Sequence, residues 1–180
     1  MAGNKKRIRP AHAIALVGIS AATVECGKLA LAAIPNVEVV TLLLALYGYV
    51  FGWIGVVSAF VFVSIEPMIY GFGTWVVGYL IYWPLVAAVF ALLGRLRVKN
   101  VFIITGTAVL LTVFFGVLTS FVDLGLLSGF HDNILARFAV YYARGVWFYV
   151  AQTVTNAVLF PLLFRFLAGR LTVIRKSMLR

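Results

Sequence analysis

Val37-Glu38-Val39-Val40-Thr41-Leu42-Leu43-Leu44-Ala45-Leu46-Tyr47-Gly48-Tyr49-Val50-Phe51-Gly52-Trp53-Ile54-Gly55-Val56-Val57-Ser58-Ala59-Phe60-Val61-Phe62-Val63-Ser64-Ile65 carries no charge after Glu38. As one helix it would be about 43 Å long, against a bilayer core of about 30 Å. Gly48, Gly52 and Gly55 lie near its middle, where glycine makes a turn cheap. The stretch therefore reads as one overlong helix or as two short ones, about 37–51 and 54–66.

Charge parity decides for two. Basic clusters sit at the N-terminal tail (Lys5, Lys6, Arg7, Arg9), at a break (Arg95, Arg97, Lys99) and at the C-terminal end (Arg165, Arg170, Arg175, Lys176, Arg180). Lys and Arg stay on the cytoplasmic side of a membrane, so an even number of spans must separate each pair of clusters. The other apolar runs are 11–33, 70–94, 100–122 and 141–168. With the split, the expectation is an all-α polytopic membrane protein of six transmembrane helices. Both termini are cytoplasmic, residues 1–180 form a single membrane domain, and 123–140 is an outer loop with a short helix near 133–140, long enough to act as a lid.

Composition agrees with this class. Of 180 residues, 64% are apolar and only 11% charged, and mean hydropathy is +1.09. A soluble domain has about 25% charged residues. Cys26 is alone, which excludes a disulfide framework. The net charge of +10 sits at the ends of apolar runs and reads as topology rather than nucleic-acid binding. The first run, Ala11 to Ala33, is too long for a signal-peptide core and reads as a retained helix.

All five acids (Glu25, Glu38, Glu66, Asp123, Asp132) fall near the predicted outer ends, with Lys28, Arg137 and Arg144. Acids contribute little to orientation, so this end is either simply wet or the site. On helix 1, Ala11, Ala15, Gly18, Ala22 and Cys26 share one face. Small faces let helices approach closely in lipid, either within the chain or against another membrane protein. On helix 6, Gly145, Tyr149, Gln152 and Asn156 form a polar stripe, which reads as interhelical hydrogen bonding or as a pocket wall. Pro161 lies one turn beyond. Glu38 suits the N-terminus of helix 2 as a cap or as a ligand contact beside Asn36. Glu66-Pro67-Met68-Ile69-Tyr70-Gly71-Phe72-Gly73-Thr74-Trp75 joins an acid, aromatics and a flexible turn. Its aromatics suit an interfacial belt or stacking on a flat ligand, as do Tyr79, Tyr82, Trp83, Tyr141, Tyr142, Trp147 and Phe148.

Catalytic patterns are poor. His12 and His131 are isolated, no spacing suits a metal, and there is no nucleophile elbow, P-loop or convergent acid–base set. The expectation is no enzyme, no metal and no catalytic residue. No ring of charge or carbonyl filter points to a channel.

Taken together, the short helices, basic inner face and small-residue helix-1 face resemble the substrate-binding S component of energy-coupling factor (ECF) vitamin transporters. Gly27-Lys28-Leu29-Ala30-Leu31, Ile34-Pro35-Asn36-Val37-Glu38 and Val40-Thr41-Leu42 look like that family's helix 1–helix 2 junction. Val50-Phe51-Gly52 and Glu66 to Trp75 look similar too. The layout is alike throughout, with specific motifs over about 11–95, and looks most like the cobalamin (vitamin B12) branch. The resemblance implies a multi-pass protein of a prokaryotic plasma membrane. It implies capture of a vitamin from outside, docking on a transmembrane T component, and release inside by toppling, driven by two partner ATPases. ATP is then used by the partners, since the chain has no Walker motif, and no cofactor is bound covalently. Mismatched short helices ease tilting. The family's AxxxA-type docking motif falls on Gly18 and Ala22, with Ala15 on the same face. A corrinoid offers a flat face for aromatics and amide arms for Asn36, Gln152, Asn156 and the acids. The substrate-binding set is Asn36, Glu38, Glu66, Tyr70, Trp75, Trp147, Tyr149, Gln152 and Asn156. The alternatives are an S component for another vitamin or a queuosine-type precursor, or an assembly subunit without a ligand.

Overall fold

The computed structural model describes residues 8–34 and 37–179. Among them are six α-helices and no strand: α1 (Pro10–Ala30), α2 (Val40–Phe51), α3 (Trp53–Tyr70), α4 (Trp75–Arg95), α5 (Val101–Asp123) and α6 (Ile134–Met178). Five are long and apolar enough to cross a membrane. Large side chains such as Met68, Phe102 and Leu135 face outward, each more than 80% exposed, as lipid-facing residues do. The protein is a multi-pass helical membrane protein.

Local chemistry sets the helix ends. Pro10 occupies the first turn of α1, where its missing N–H costs nothing. Asn100 caps α5, its side-chain oxygen accepting from the Phe102 amide at 2.8 Å. Gly52 (φ 63°) ends α2 and Gly71 (φ 80°) ends α3, both in the region that favours glycine. The 37–65 run is thus two helices broken at Gly52. The 12 residues of α2 extend about 18 Å, less than the bilayer core.

Besides the end of α6, at Met178 rather than 168, three boundaries differ from the sequence expectation. First, α3 continues through Pro67 to Tyr70, so Glu66 lies within a helix and the flexible turn is only 71–74. Second, 123–140 is not a long loop: α5 runs on through a π-helical turn, Leu124–Ser128, and α6 begins at Ile134. That leaves 129–133 irregular, too little for a lid. Third, the segment 133–140 is the start of α6 itself. The Arg137 guanidinium donates to the Ser128 carbonyl at 2.5 Å, and Phe138 packs on Phe121 with ring centroids 4.6 Å apart. Hydropathy dips here, but helix formation does not need hydropathy when tertiary contacts hold the first turn. The 45 residues of α6 run about 68 Å, continuous through Pro161.

α2 is the core of the bundle. Ten of its residues are buried, among them Leu42, Leu44, Leu46 and Val50, and α3, α4 and α6 pack around it. Its approach to α4 is at backbone distance: a Cβ on Gly48 would lie 2.1 Å from the Ala87 carbonyl oxygen, and one on Gly94 2.1 Å from that of Tyr49. At the far end, Ile8 pairs with Leu179 in an isolated antiparallel bridge, so the two described ends of the chain lie together.

Replacing Gly48 by Ala should therefore destabilise the detergent-solubilised protein by about 1–3 kcal/mol. Gly18→Ala should stay within about 0.5 kcal/mol, because a Cβ there meets nothing within 4 Å. Equal thermal midpoints for the two variants would mean that α2 and α4 are not in backbone contact.

Candidate ligand cavity at the acidic end

The up-and-down course of the helices collects Glu25 (end of α1), Glu38 (start of α2), Glu66 (end of α3) and Asp123 (end of α5) at one end. A cavity of about 250 Å³ opens there. Its polar wall is Lys28, Glu38 and Gln152, and its aromatic wall is Phe62, Tyr70, Tyr79 and Trp83.

Glu38 is fixed from three directions. Its carboxylate accepts from the Thr41 amide at 2.8 Å, the Thr41 hydroxyl at 2.6 Å and the Asn156 side-chain amide at 2.9 Å. It therefore caps α2 and also ties α2 to α6. Asn156, fully buried, donates in addition to the Thr112 hydroxyl at 3.0 Å, which brings in α5. A carboxylate held by several donors is pre-positioned.

Beside it, Lys28 forms an ion pair with Glu66, whose side chain is almost fully buried. The Lys28 ammonium also sits 4.0 Å from the centre of the Tyr70 ring, a cation–π distance, and the Tyr70 hydroxyl donates to Glu25 at 3.3 Å. Glu25 Oε2 and Glu66 Oε1 are buried without a hydrogen-bond partner, as is the Trp83 indole N–H in the cavity wall. Lys28 thus has one carboxylate partner, Glu66, while Glu25 is reached through Tyr70. Buried polar groups are normally satisfied, so this end has acceptors and donors to spare.

Among the predicted site residues, Glu38, Tyr70 and Gln152 line the cavity. Asn156 and Glu66 stand behind it, holding Glu38 and Lys28. Trp75 packs edge-on against Tyr79 at 5.1 Å and supports the aromatic wall without lining it. Tyr149 turns to α5, its hydroxyl 3.4 Å from that of Thr119. Trp147 is 78% exposed and faces outward. Asn36 lies outside the described residues. On α1 the expected docking residues Ala15, Gly18 and Ala22 are all exposed, while Leu16, Ser20, Ala21, Val24 and Glu25 face the bundle. The small stripe is not an internal packing face.

Sequence reasoning left Lys28, Tyr79, Trp83 and Phe62 out of the substrate-binding set, naming Tyr79 and Trp83 only among the aromatics that suit a belt or a flat ligand. A signal existed for two of them: Trp75, Tyr79 and Trp83 recur every four residues, one face of a helix. Nothing in the sequence pairs Lys28 with Glu66. Among the described residues no group of His, Cys, Asp and Glu is arranged to hold a metal. The arrangement offers an anion, a cation, an amide, an indole donor and ring faces, which together suit holding a small polar aromatic molecule. Compared with family models, curated proteins and solved structures, the chain matches none.

Lys28→Met should cost about 3 kcal/mol, since it leaves the Glu66 carboxylate buried and uncompensated. The double variant Lys28→Met/Glu66→Leu should recover most of that loss. If the double variant is less stable than the single one in detergent melts, the pair is not coupled.

Proposed function

We propose that the chain is the substrate-binding S component of an ECF-type vitamin transporter. The observation that carries this reading is the cavity between Lys28, Glu38 and the Tyr79–Trp83 wall, at the end opposite the basic clusters. By the positive-inside tendency the basic end faces the cytoplasm, so the cavity opens outward and captures ligand from outside. In this reading the chain crosses a prokaryotic plasma membrane six times, α2 by tilting or by local thinning of the bilayer. Both termini lie inside, and the proximity of Ile8 and Leu179 supports an even number of crossings. The exposed small face of α1 docks on the T component, two partner ATPases supply the energy, and the chain performs no chemistry of its own.

For the ligand, the sequence resemblance favours cobalamin or a related corrinoid. The cavity favours a second reading within the same class. Drug-sized ligands occupy about 300–1,000 Å³, and a corrinoid exceeds about 250 Å³ several-fold, so it would enter only after the wall opens. A one- or two-ring vitamin or a queuosine-type precursor suits the cavity as it stands. The faces available are Tyr79 and Tyr70 for stacking, Glu38 for a donor, and Lys28 or the Trp83 N–H for an acceptor.

Calorimetric titration of the solubilised chain with a vitamin panel, cobalamin included, tests both readings. Saturable 1:1 binding identifies the ligand. Gln152→Ala and Glu38→Gln should each weaken it by about tenfold, the loss of one hydrogen bond to a charged or polar group. Trp147→Ala should leave affinity unchanged. A folded protein that binds nothing on the panel would favour an assembly subunit. Gly18→Leu should abolish co-purification with the T component and preserve ligand binding; normal co-purification would remove α1 from the docking surface.

A further inference from the structure

A second cavity, of about 190 Å³, lies at the opposite, basic end. Tyr49 of α2, Ile104 of α5 and Phe164 of α6 form its apolar floor, and Lys99, Arg165 and Thr172 its polar rim. The positive-inside tendency accounts for cations at this end. It does not account for two of them converging on a preformed hollow.

Local contacts hold this hollow open. The Tyr49 hydroxyl donates to the Val98 carbonyl at 2.7 Å, which fastens the α4–α5 connection to α2 and sets Lys99 at the rim. The same connection turns through Arg97 with φ 55°, a conformation that costs a non-glycine residue some stability. The Tyr49 ring meets Phe164 edge-on at 5.3 Å, which places Arg165 on the next position of α6. Gly169 leaves its part of the wall open, since a Cβ there would meet nothing within 4 Å. Among the described residues no carboxylate pairs with either cation. All five acids of the sequence fall at the other helix ends, and the only ion pair among the described residues is Lys28–Glu66.

We propose that this cavity binds a phosphate oxyanion, with Lys99 and Arg165 as its charge partners. It lies about one turn inside the ends of α2 and α5. An anionic phospholipid is one source of the oxyanion and a soluble phosphate the other. Basic hollows between helices on the cytoplasmic side are suited to anionic headgroups. The apolar floor of Tyr49, Ile104 and Phe164 would meet the glycerol and first acyl carbons of a lipid. The site is independent of vitamin capture.

The test uses the full chain, delipidated in neutral detergent. Phosphatidylglycerol, phosphatidylcholine and inorganic phosphate are titrated separately at constant ionic strength. Native mass spectrometry and the thermal midpoint are the two readouts. Saturable retention of phosphatidylglycerol over phosphatidylcholine is expected, falling about fivefold for each of Lys99→Gln and Arg165→Gln. Arg175→Gln/Lys176→Gln, an equal loss of charge outside the cavity, should change retention little. Saturation by inorganic phosphate alone, with the same sensitivity to Lys99 and Arg165, assigns the site to a soluble anion. Equal losses for the cavity and control variants, or no preference between the two lipids together with no effect of phosphate, overturn the proposal.

Discussion

The contact of α2 with α4 at backbone distance is the constraint on which the bundle rests. Gly48 admits the Ala87 carbonyl and Gly94 admits that of Tyr49, so the two helices pass without side chains between them. In lipid, where apolar surface alone does not drive association, such close packing supplies the attraction. It also fixes α2 in depth. Glu38, just before α2, reaches the acidic end, and Tyr49, in its last turn, reaches the basic end. Each lines one cavity, so a single short helix sets the separation of the two.

The second organising feature is electrical polarity along the bundle. Glu25, Glu38 and Glu66 gather at one end, where Lys28 pairs with Glu66, while Lys99 and Arg165 line a cavity at the other. Charged groups at membrane depth are costly unless paired or facing water. Glu66 meets that condition through Lys28, and Glu38 through three hydrogen-bond donors. The donors come from α2 and α6, so the charge that a ligand would meet is also a tie between helices. The carboxylate oxygens left without partners on Glu25 and Glu66 mark where the polar network is incomplete.

Part of the candidate site could be read from spacing. Gln152 and Asn156 share a face of α6, and both turn inward, one to the cavity and one to Glu38. Trp147 shows the limit of composition as a guide. An aromatic at the right end of the chain was expected in the pocket, but its position on α6 is off the face of Tyr149, Gln152 and Asn156, so it meets lipid. Tyr149, on the right face, lies a turn too far from the cavity and packs over Gly116 instead. The small stripe of α1 was legible as a face but not as an inward or outward one. Leu16, Ala21 and Val24 fill the inward position, and that choice depends on the shape of α2 and α3.

By itself the sequence determined the membrane class, the helical content, the break at Gly52 and the separation of acids from bases. These follow from quantities that add along the chain: hydropathy, charge and the positions of glycine and proline. Only the tertiary structure decided that Lys28 meets Glu66, that Asn156 holds Glu38 across 118 positions of sequence, that α6 begins at Ile134, and that each end encloses a cavity of its particular size. Those depend on which helix faces touch. A pairing between distant residues has a free energy that no local pattern contains, because it exists only once the backbones have packed.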